Sequence, residues 1–433
     1  MDHFAPAETL EHVTCPACGL LCDDLGIERT REGRIKVTGR GCARSIGFFE
    51  RPLSPAGPRI AGNPASLEQA IAAAAEILRQ AKLPLIAGLG TEVQGMRAVM
   101  SLADRAGATL DHMNSNGFMR NQLVVQNSGW QTCSLTEVRN RVDLLVVIGS
   151  DIVSLFPRFF ERLIWNSESM FGQDTAAREV VYLGGRDIDT RAGIAPDGRL
   201  PEVLPCDPER IPEVIAALRA LVSGKTLRAA SIAGIPTGQL AGLAQRLHAA
   251  KYSVIAWSAG TLDFPQADLA IQNIAELVKT LNHTTRASGL PLGGNDGETN
   301  ANQVSTWISG YPMRTSFAKG FPEYDPYHFS TDHLLSAGEA DALVWISSFT
   351  PDRNPPGSAL PTVVLGHPSM RFGREPEVYI PVGTPGIDHP GVAFRGDGVA
   401  SLPLSRLRDS TLPALAGVLS ALEAALLERA PPC

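Results

Sequence analysis

Apolar residues recur at helical spacing in ASLEQAIAAAAEILRQA, where Leu67, Ala70, Ile71, Ala74 and Leu78 share one face and Ser66 stands at the N-cap position. The pattern predicts a helix over residues 65–81. PLIAGLG (84–90) is a short, wholly apolar run closed by glycine, the signature of a buried strand, and TEVQGMRAVMSLADRAGA (91–108) returns to helical spacing. The alternation continues: strands are expected at 143–151, 180–186, 252–260, 342–349, 362–367 and 378–383, a helix at 209–224 with Gly224 as its C-cap, and a terminal amphipathic helix at 410–430. Strand, glycine-containing turn and helix in repetition mean α/β layers with mostly parallel sheets. GLPLGGNDGETNANQVSTWISGYP (289–312) breaks the pattern; rich in Gly and Asn, it reads as a long loop of the kind that lines a site.

Composition narrows the function classes. The 433 residues are 44% hydrophobic and 19% charged, an ordinary globular balance with length for two or three lobes. A net charge of −7, with no basic stripe carrying aromatics, argues against nucleic acid and against an anionic membrane surface. The opening MDHFAPAETLEHVTC has acidic residues and no apolar core, so it is not a signal peptide, and runs such as DLLVVIG fall far short of the ~20 residues that span a bilayer. The expectation is a cytoplasmic protein, in whose compartment clustered cysteines more often bind metal than form disulfides.

Four of the seven cysteines are clustered. Cys15, Cys18 and Cys22 lie in TCPACGLLCDDLG, and Cys42 follows in GRGCARS, giving C-x2-C-x3-C-x19-C. One tight loop can present three thiolates, with Gly19 placed where a left-handed angle is often needed. Four thiolates suit either a [4Fe–4S] cluster or structural zinc; zinc sites more often use paired C-x2-C hooks, so the spacing favours the cluster. Arg40 and Arg44 flank Cys42, as neutralising charges or as solvated surface residues. Cys133 and Cys206 read as small core residues and Cys433 as a mobile terminus.

No other motif rises to a site. The strand ends carry no full G-x-G-x-x-G, there is no G-x-S-x-G elbow, and the nine histidines form neither H-x-H nor H-E-x-x-H. His328 and His333 share YDPYHFSTDH with Asp325 and Asp332, which a helix N-cap at Ser330 or Thr331 explains more plainly than a metal does. The adjacent Asp23 and Asp24 would cap a turn or face solvent.

A four-cysteine N-terminal lobe ahead of α/β lobes resembles the molybdopterin oxidoreductases. CPACGLLCDDL, SLTEVRNRVDLLVVIGSD and NQVSTWISGYP, in order along most of the chain, resemble the B subunit of formylmethanofuran dehydrogenase. The resemblance implies a four-cysteine domain at 1–58, an α/β lobe beginning at 59–150, a second Rossmann-like lobe at 151–285 and a return to the first at 286–433. In that family the four cysteines hold a [4Fe–4S] cluster beside a tungsten- or molybdenum-pterin that interconverts CO2 and formate. The family's metal-binding cysteine, counted back from EVRNR, falls on Gly117, the histidine after it on Phe118, and an active-site arginine on Gly293. No cysteine at all lies between Cys42 and Cys133. Glycine cannot ligate a metal and phenylalanine cannot move a proton.

What remains is similar to the degenerate B subunit of the bacterial formyltransferase/hydrolase complex. The resemblance implies a structural subunit with no molybdopterin, assembled with hydrolase, formyltransferase and small C-type subunits in tetrahydromethanopterin-linked one-carbon metabolism. The metal site at Cys15, Cys18, Cys22 and Cys42 would then persist as iron–sulfur or as zinc. Two other readings remain: an active pterin enzyme with Ser115 or Asn116 as metal ligand, and an unrelated metal-stabilised binding module.

Overall fold

Two bodies form from the alternating strands and helices: Met1–Ser115 with Gly294–Cys433, and the inserted Asn116–Gly293. The computed structural model describes residues 8–52, 56–185 and 188–427, so Cys433 and the last residues of the expected 410–430 helix lie outside the described residues. The chain opens with a three-stranded antiparallel sheet, β1 (Glu8–Val13), β2 (Leu25–Arg29) and β3 (Ile35–Gly39), followed by the short helix α1 (Ala43–Phe49). Helix α2 (Leu67–Gln80) starts at a reciprocal capping box: Ser66 Oγ accepts from Gln69 N–H and Gln69 Oε1 accepts from Ser66 N–H. Strand β4 (Pro84–Gly90), helix α3 (Val93–Ala106) and strand β5 (Thr109–His112) follow. Helix α3 is capped by the Glu92 carboxylate, which accepts from Gly95 N–H at 2.6 Å.

The inserted body begins within α4 (Ser115–Ser128), then α5 (Leu135–Arg141), β6 (Leu144–Ile148), β7 (Glu179–Leu183), β8 (Glu202–Leu204), α6 (Ile211–Val222), α7 (Thr237–Ala249), β9 (Ser253–Trp257), α8 (Ala267–Leu281) and β10 (Ala287–Pro291). Its five strands are all parallel, in the order β8-β7-β6-β9-β10. The lobe boundary expected at 150/151 therefore falls at 115/116, and the one expected at 285/286 falls at 293/294. The reason is in the sheet: β6 pairs with β7 and β9, not with the strands before it. The four-cysteine segment expected as a separate domain at 1–58 is part of the first body.

The first body resumes with α9 (Glu298–Ser309), β11 (Ala342–Ser347), β12 (Thr362–Gly366), β13 (Val378–Pro381) and α10 (Leu415–Leu427). Its nine-stranded sheet has a parallel centre, β5-β4-β11-β12-β13, closed on both sides by antiparallel two-residue strands. Ile86, Val344, Ile346 and Val363 from that centre pack with Met96, Val99 and Leu419 from helices α3 and α10 into one apolar core. The segment expected as a loop at 289–312 holds the end of β10, a helical turn and all of α9. Its helical spacing escaped hydropathy because α9 buries polar residues: Asn302 donates to Glu298 O at 3.0 Å and accepts from Met313 N at 3.1 Å, and Asn300 donates to Thr91 O at 2.8 Å.

In the inserted body, β9 runs between β6 and β10 with every residue buried. Ile255 is fully covered there, so Ile255→Ala should lower unfolding free energy by about 2–5 kcal/mol with unchanged denaturant slope in urea titration.

Candidate functional site

The four cysteines lie on two neighbouring stretches of the first body. Cys15, Cys18 and Cys22 are buried in the turn between β1 and β2, where Cys15 N–H donates to Cys22 O at 2.7 Å and Leu21 N–H to Cys18 O at 3.1 Å. Cys42, half-buried, precedes α1, and its N–H donates to Ser45 Oγ at 2.7 Å. The Cys15 thiol is pushed well above its usual range, first by burial and then by the charges of Cys18, Cys22 and Cys42. The left-handed residue of this turn is Leu21 (φ 47), not Gly19 as expected. Arg44 Nη1 reaches the carbonyl of Ala17 in the cysteine turn at 3.5 Å, while Arg40 stands 3.9 Å from Asp24. Among the described residues no group of three or more His, Cys, Asp or Glu side chains is drawn in to hold a metal ion. In residue type the four thiols fit a four-thiolate group; they are not gathered around one point.

A turn ahead of α9 links this region to the sheet. Gly294 (φ 87), Asp296 (φ 55) and Gly297 (φ 77) all take left-handed angles. A Cβ on Gly297 would lie 2.6 Å from Thr91 O, and one on Gly294 would lie 2.7 Å from the Gly396 Cα, so side chains are shut out at both. Asn295 Oδ1 accepts from Gly19 N–H in the cysteine turn at 3.0 Å. Asp296 Oδ2 accepts from Arg353 Nη2 at 2.6 Å and from Asn114 Nδ2 at 3.3 Å. His112 Nδ1 accepts from Asn114 N–H at 3.0 Å, which leaves Nε2–H to donate to Asp296 O at 3.2 Å. Burial, the largest cause, holds the His112 pKa down to about 4, so the ring is a neutral structural strut. Glu298, buried and accepting from Gly294 N–H at 2.7 Å, has its pKa raised to about 7 by burial and by Asp296. None of this network was read from the sequence; the one available signal was the Gly-Asn-rich stretch itself.

The substitute ligand Ser115 is already engaged. Its hydroxyl is buried, lies 3.1 Å from Arg314 Nη2, and bonds Asp111, whose Oδ2 also accepts from Thr331 N–H at 2.7 Å. Gly117, in the first turn of α4, presses on the turn after β9: a Cβ built there would lie 2.9 Å from both the Cα and N of Gly260. Three residues on, Arg120 Nη1 donates to Ala259 O at 2.8 Å, Arg120 Nη2 pairs with Asp263 at 2.7 Å, and Trp257 Nε1 donates to Asn121 Oδ1 at 2.9 Å. Phe118 and Gly293 are both partly buried. His328 and His333 stack with ring centres 5.3 Å apart, and Ser330 caps the short helix beside them by accepting from His333 N–H at 3.3 Å, as the sequence suggested. Cys133 and Cys206 are buried, as expected of small core residues.

The chain aligns over most of its length with known proteins. It is 28% identical over 410 residues to the B subunit of the tungsten-containing formylmethanofuran dehydrogenase 2 of Methanocaldococcus jannaschii, covering 90% of this chain and 92% of the relative. It is 27% identical over 387 residues to the B subunit of the formyltransferase/hydrolase complex Fhc of Methylorubrum extorquens, covering 86% of this chain and 99% of the relative. This chain is a homologue of these B subunits. Its fold matches a chain of the formyltransferase/hydrolase complex FhcABCD from Methylorubrum extorquens, solved with methylofuran, at a TM-score of 0.74 and 25% identity over 86% of this chain and 99% of that one. No family model matches.

Two expectations follow. Gly117→Cys should lower stability by about 1–3 kcal/mol, because its side chain must displace backbone rather than a flexible side-chain tip; thermal unfolding reads this directly, and a neutral result would mean the turn after β9 yields freely. Glu298 holds its proton in the folded chain at pH values where the unfolded chain has released it. Its contribution is full below the unfolded value of 4.5 and is lost as pH climbs to about 7. His112 works oppositely, its contribution full above 6.5 and lost as pH falls to about 4. Glu298→Gln should therefore lose less stability than the unsubstituted chain between pH 5 and pH 8, by up to about 3 kcal/mol in urea unfolding; parallel curves for the two proteins would refute the assignment.

Proposed function

We propose that the protein is a non-catalytic structural B subunit of a formyltransferase/hydrolase complex in tetrahydromethanopterin-linked one-carbon metabolism. In this reading it descends from the B subunit of a formylmethanofuran dehydrogenase and has lost the metal–pterin site. The observation that carries it is the contact at Gly117, where a metal-binding thiolate would need a side chain and even its Cβ would lie 2.9 Å from the Gly260 backbone. Its partners are the hydrolase, formyltransferase and small C-type subunits, and its place is the cytoplasm. Similarity over most of the chain to the B subunit of the Fhc complex supports this, as do Trp307, Ile308, Tyr311, Phe321 and Tyr327, large apolar residues left exposed on the first body. Among the described residues no helix is long and apolar enough to cross a membrane.

The four cysteines, in the same reading, hold a [4Fe–4S] cluster in preference to zinc. The C-x2-C-x3-C-x19-C spacing of Cys15, Cys18, Cys22 and Cys42 supports this, since zinc sites more often use paired C-x2-C hooks. When bound, such a cluster supplies a cross-link between the cysteine turn and α1. The residues around it hold that turn in place through Asn295 and Arg44.

The alternative, an active molybdenum- or tungsten-pterin subunit with a non-cysteine ligand, is favoured by one observation, the tungsten-containing enzymes among the relatives. Elemental analysis of the native assembly decides between them. Expected are about four irons per chain and no stoichiometric molybdenum or tungsten, in an assembly that carries out formyl transfer and formate release. Stoichiometric tungsten or molybdenum, with pterin fluorescence after acid oxidation, would overturn the structural reading.

A further inference from the structure

His112 and His367 stand at equivalent places, one at the end of β5 and one just after β12, at the ends of parallel strands in the first body's sheet. Both use the same local device: the backbone N–H two residues on donates to Nδ1, from Asn114 at 3.0 Å and from Ser369 at 3.1 Å. A neutral imidazole carries one proton, so in both rings that proton is on Nε2. In His112 it has an acceptor, the carbonyl of Asp296. In His367 it meets Nη1 of Arg51 at 3.4 Å, a donor facing a donor.

His367 is only 4% exposed, so water does not freely resolve the conflict. Its pKa is driven down to about 3 by burial and then by the Arg51 charge, so it faces Arg51 uncharged. The carboxylates nearby match the guanidinium only at long range. Asp388 is committed to Arg408 Nε at 2.6 Å and to Thr384 N–H at 2.8 Å. Asp352 stays 3.9 Å from Arg51 Nη2 and is 81% exposed. Beyond the end of the neighbouring strand β13, the Thr384 hydroxyl is buried with no hydrogen-bond partner. A half-buried cation, a buried N–H aimed beside it and an unsatisfied hydroxyl at adjacent strand ends describe a place where an acceptor-rich group belongs.

We propose that Arg51 and His367 form a binding site for a phosphate group, free or carried as a monoester. Two guanidinium N–H groups and the Nε2–H supply three donors to an anion whose oxygens only accept, and the position at the carboxyl ends of parallel strands is where open α/β sheets take ligands. The site is independent of the cysteines and of the scaffold reading.

Titration calorimetry on the intact native complex tests it, with inorganic phosphate and then adenosine monophosphate as probes and chloride matching the ionic strength. Arg51→Gln removes the cation. His367→Asn keeps an acceptor for Ser369 N–H and deletes the Nε2–H. Each should weaken phosphate binding roughly tenfold or more. Monophosphate binding no tighter than phosphate assigns a free anion; tighter binding assigns an ester. No heat from either probe at about 10 mM overturns the site, as does undiminished binding in the Arg51→Gln complex, which stands as the deciding variant if His367→Asn fails to assemble.

Discussion

Backbone against backbone leaves no space for a side chain, and that constraint at Gly117 governs how the rest of the inserted body is read. The first turn of α4 is held on the turn after β9 by Arg120 and Asn121, so that closeness is built in rather than incidental. A side chain there would have to push against main-chain atoms, which move only if the strand end moves with them. The absence of a cysteine is thus matched by the absence of a place to put one. At Gly117 the packing itself, and not residue type alone, excludes a side chain.

The first body keeps polar organisation around the same stretch of sequence but turns it inward. Asp296, in a left-handed turn, gathers Arg353, Asn114 and His112; Ser115 is taken up by Arg314 and Asp111. Groups with the chemistry to move protons or hold anions are here satisfied by one another. Burial makes such networks costly to leave half-made, which is why each member has its partner. Through Asn295 the same turn holds the loop that carries Cys15, Cys18 and Cys22, so that loop and the polar network are tied together.

The regular elements were legible because their signals are local. Ser66 and Gln69 announce α2, and the wholly apolar PLIAGLG and LLVVI announce β4 and β6. The cysteine spacing marks the N-terminal segment, where Cys15, Cys18 and Cys22 are buried in one turn and Cys42 stands ahead of α1. What hydropathy missed had polar residues in core positions. Helix α9 buries Asn300, Asn302 and Ser305, so its inward face carries no hydrophobic repeat. Leu21 rather than Gly19 takes the left-handed angle, a choice that tertiary packing makes and residue type does not disclose. The body boundary was misplaced because strand pairing, which puts β6 with β9 over a hundred residues on, leaves no mark in either strand alone.

The two strand-end histidines sharpen the distinction between a closed site and one still open to a ligand. Their local backbone device is shared, so their tautomers are the same, and the difference lies wholly in what faces Nε2. For His112 it is a carbonyl from the turn that fills the polar centre; for His367 it is a cation with its own charge only loosely matched. A folded chain tolerates two donors in contact only where something else satisfies them, because neither can return to water without unpacking the strand ends. The two places therefore differ in kind: at Gly117 main chain stands where a side chain would go, and at the Arg51–His367 corner the donors that face each other are ones an anion would satisfy.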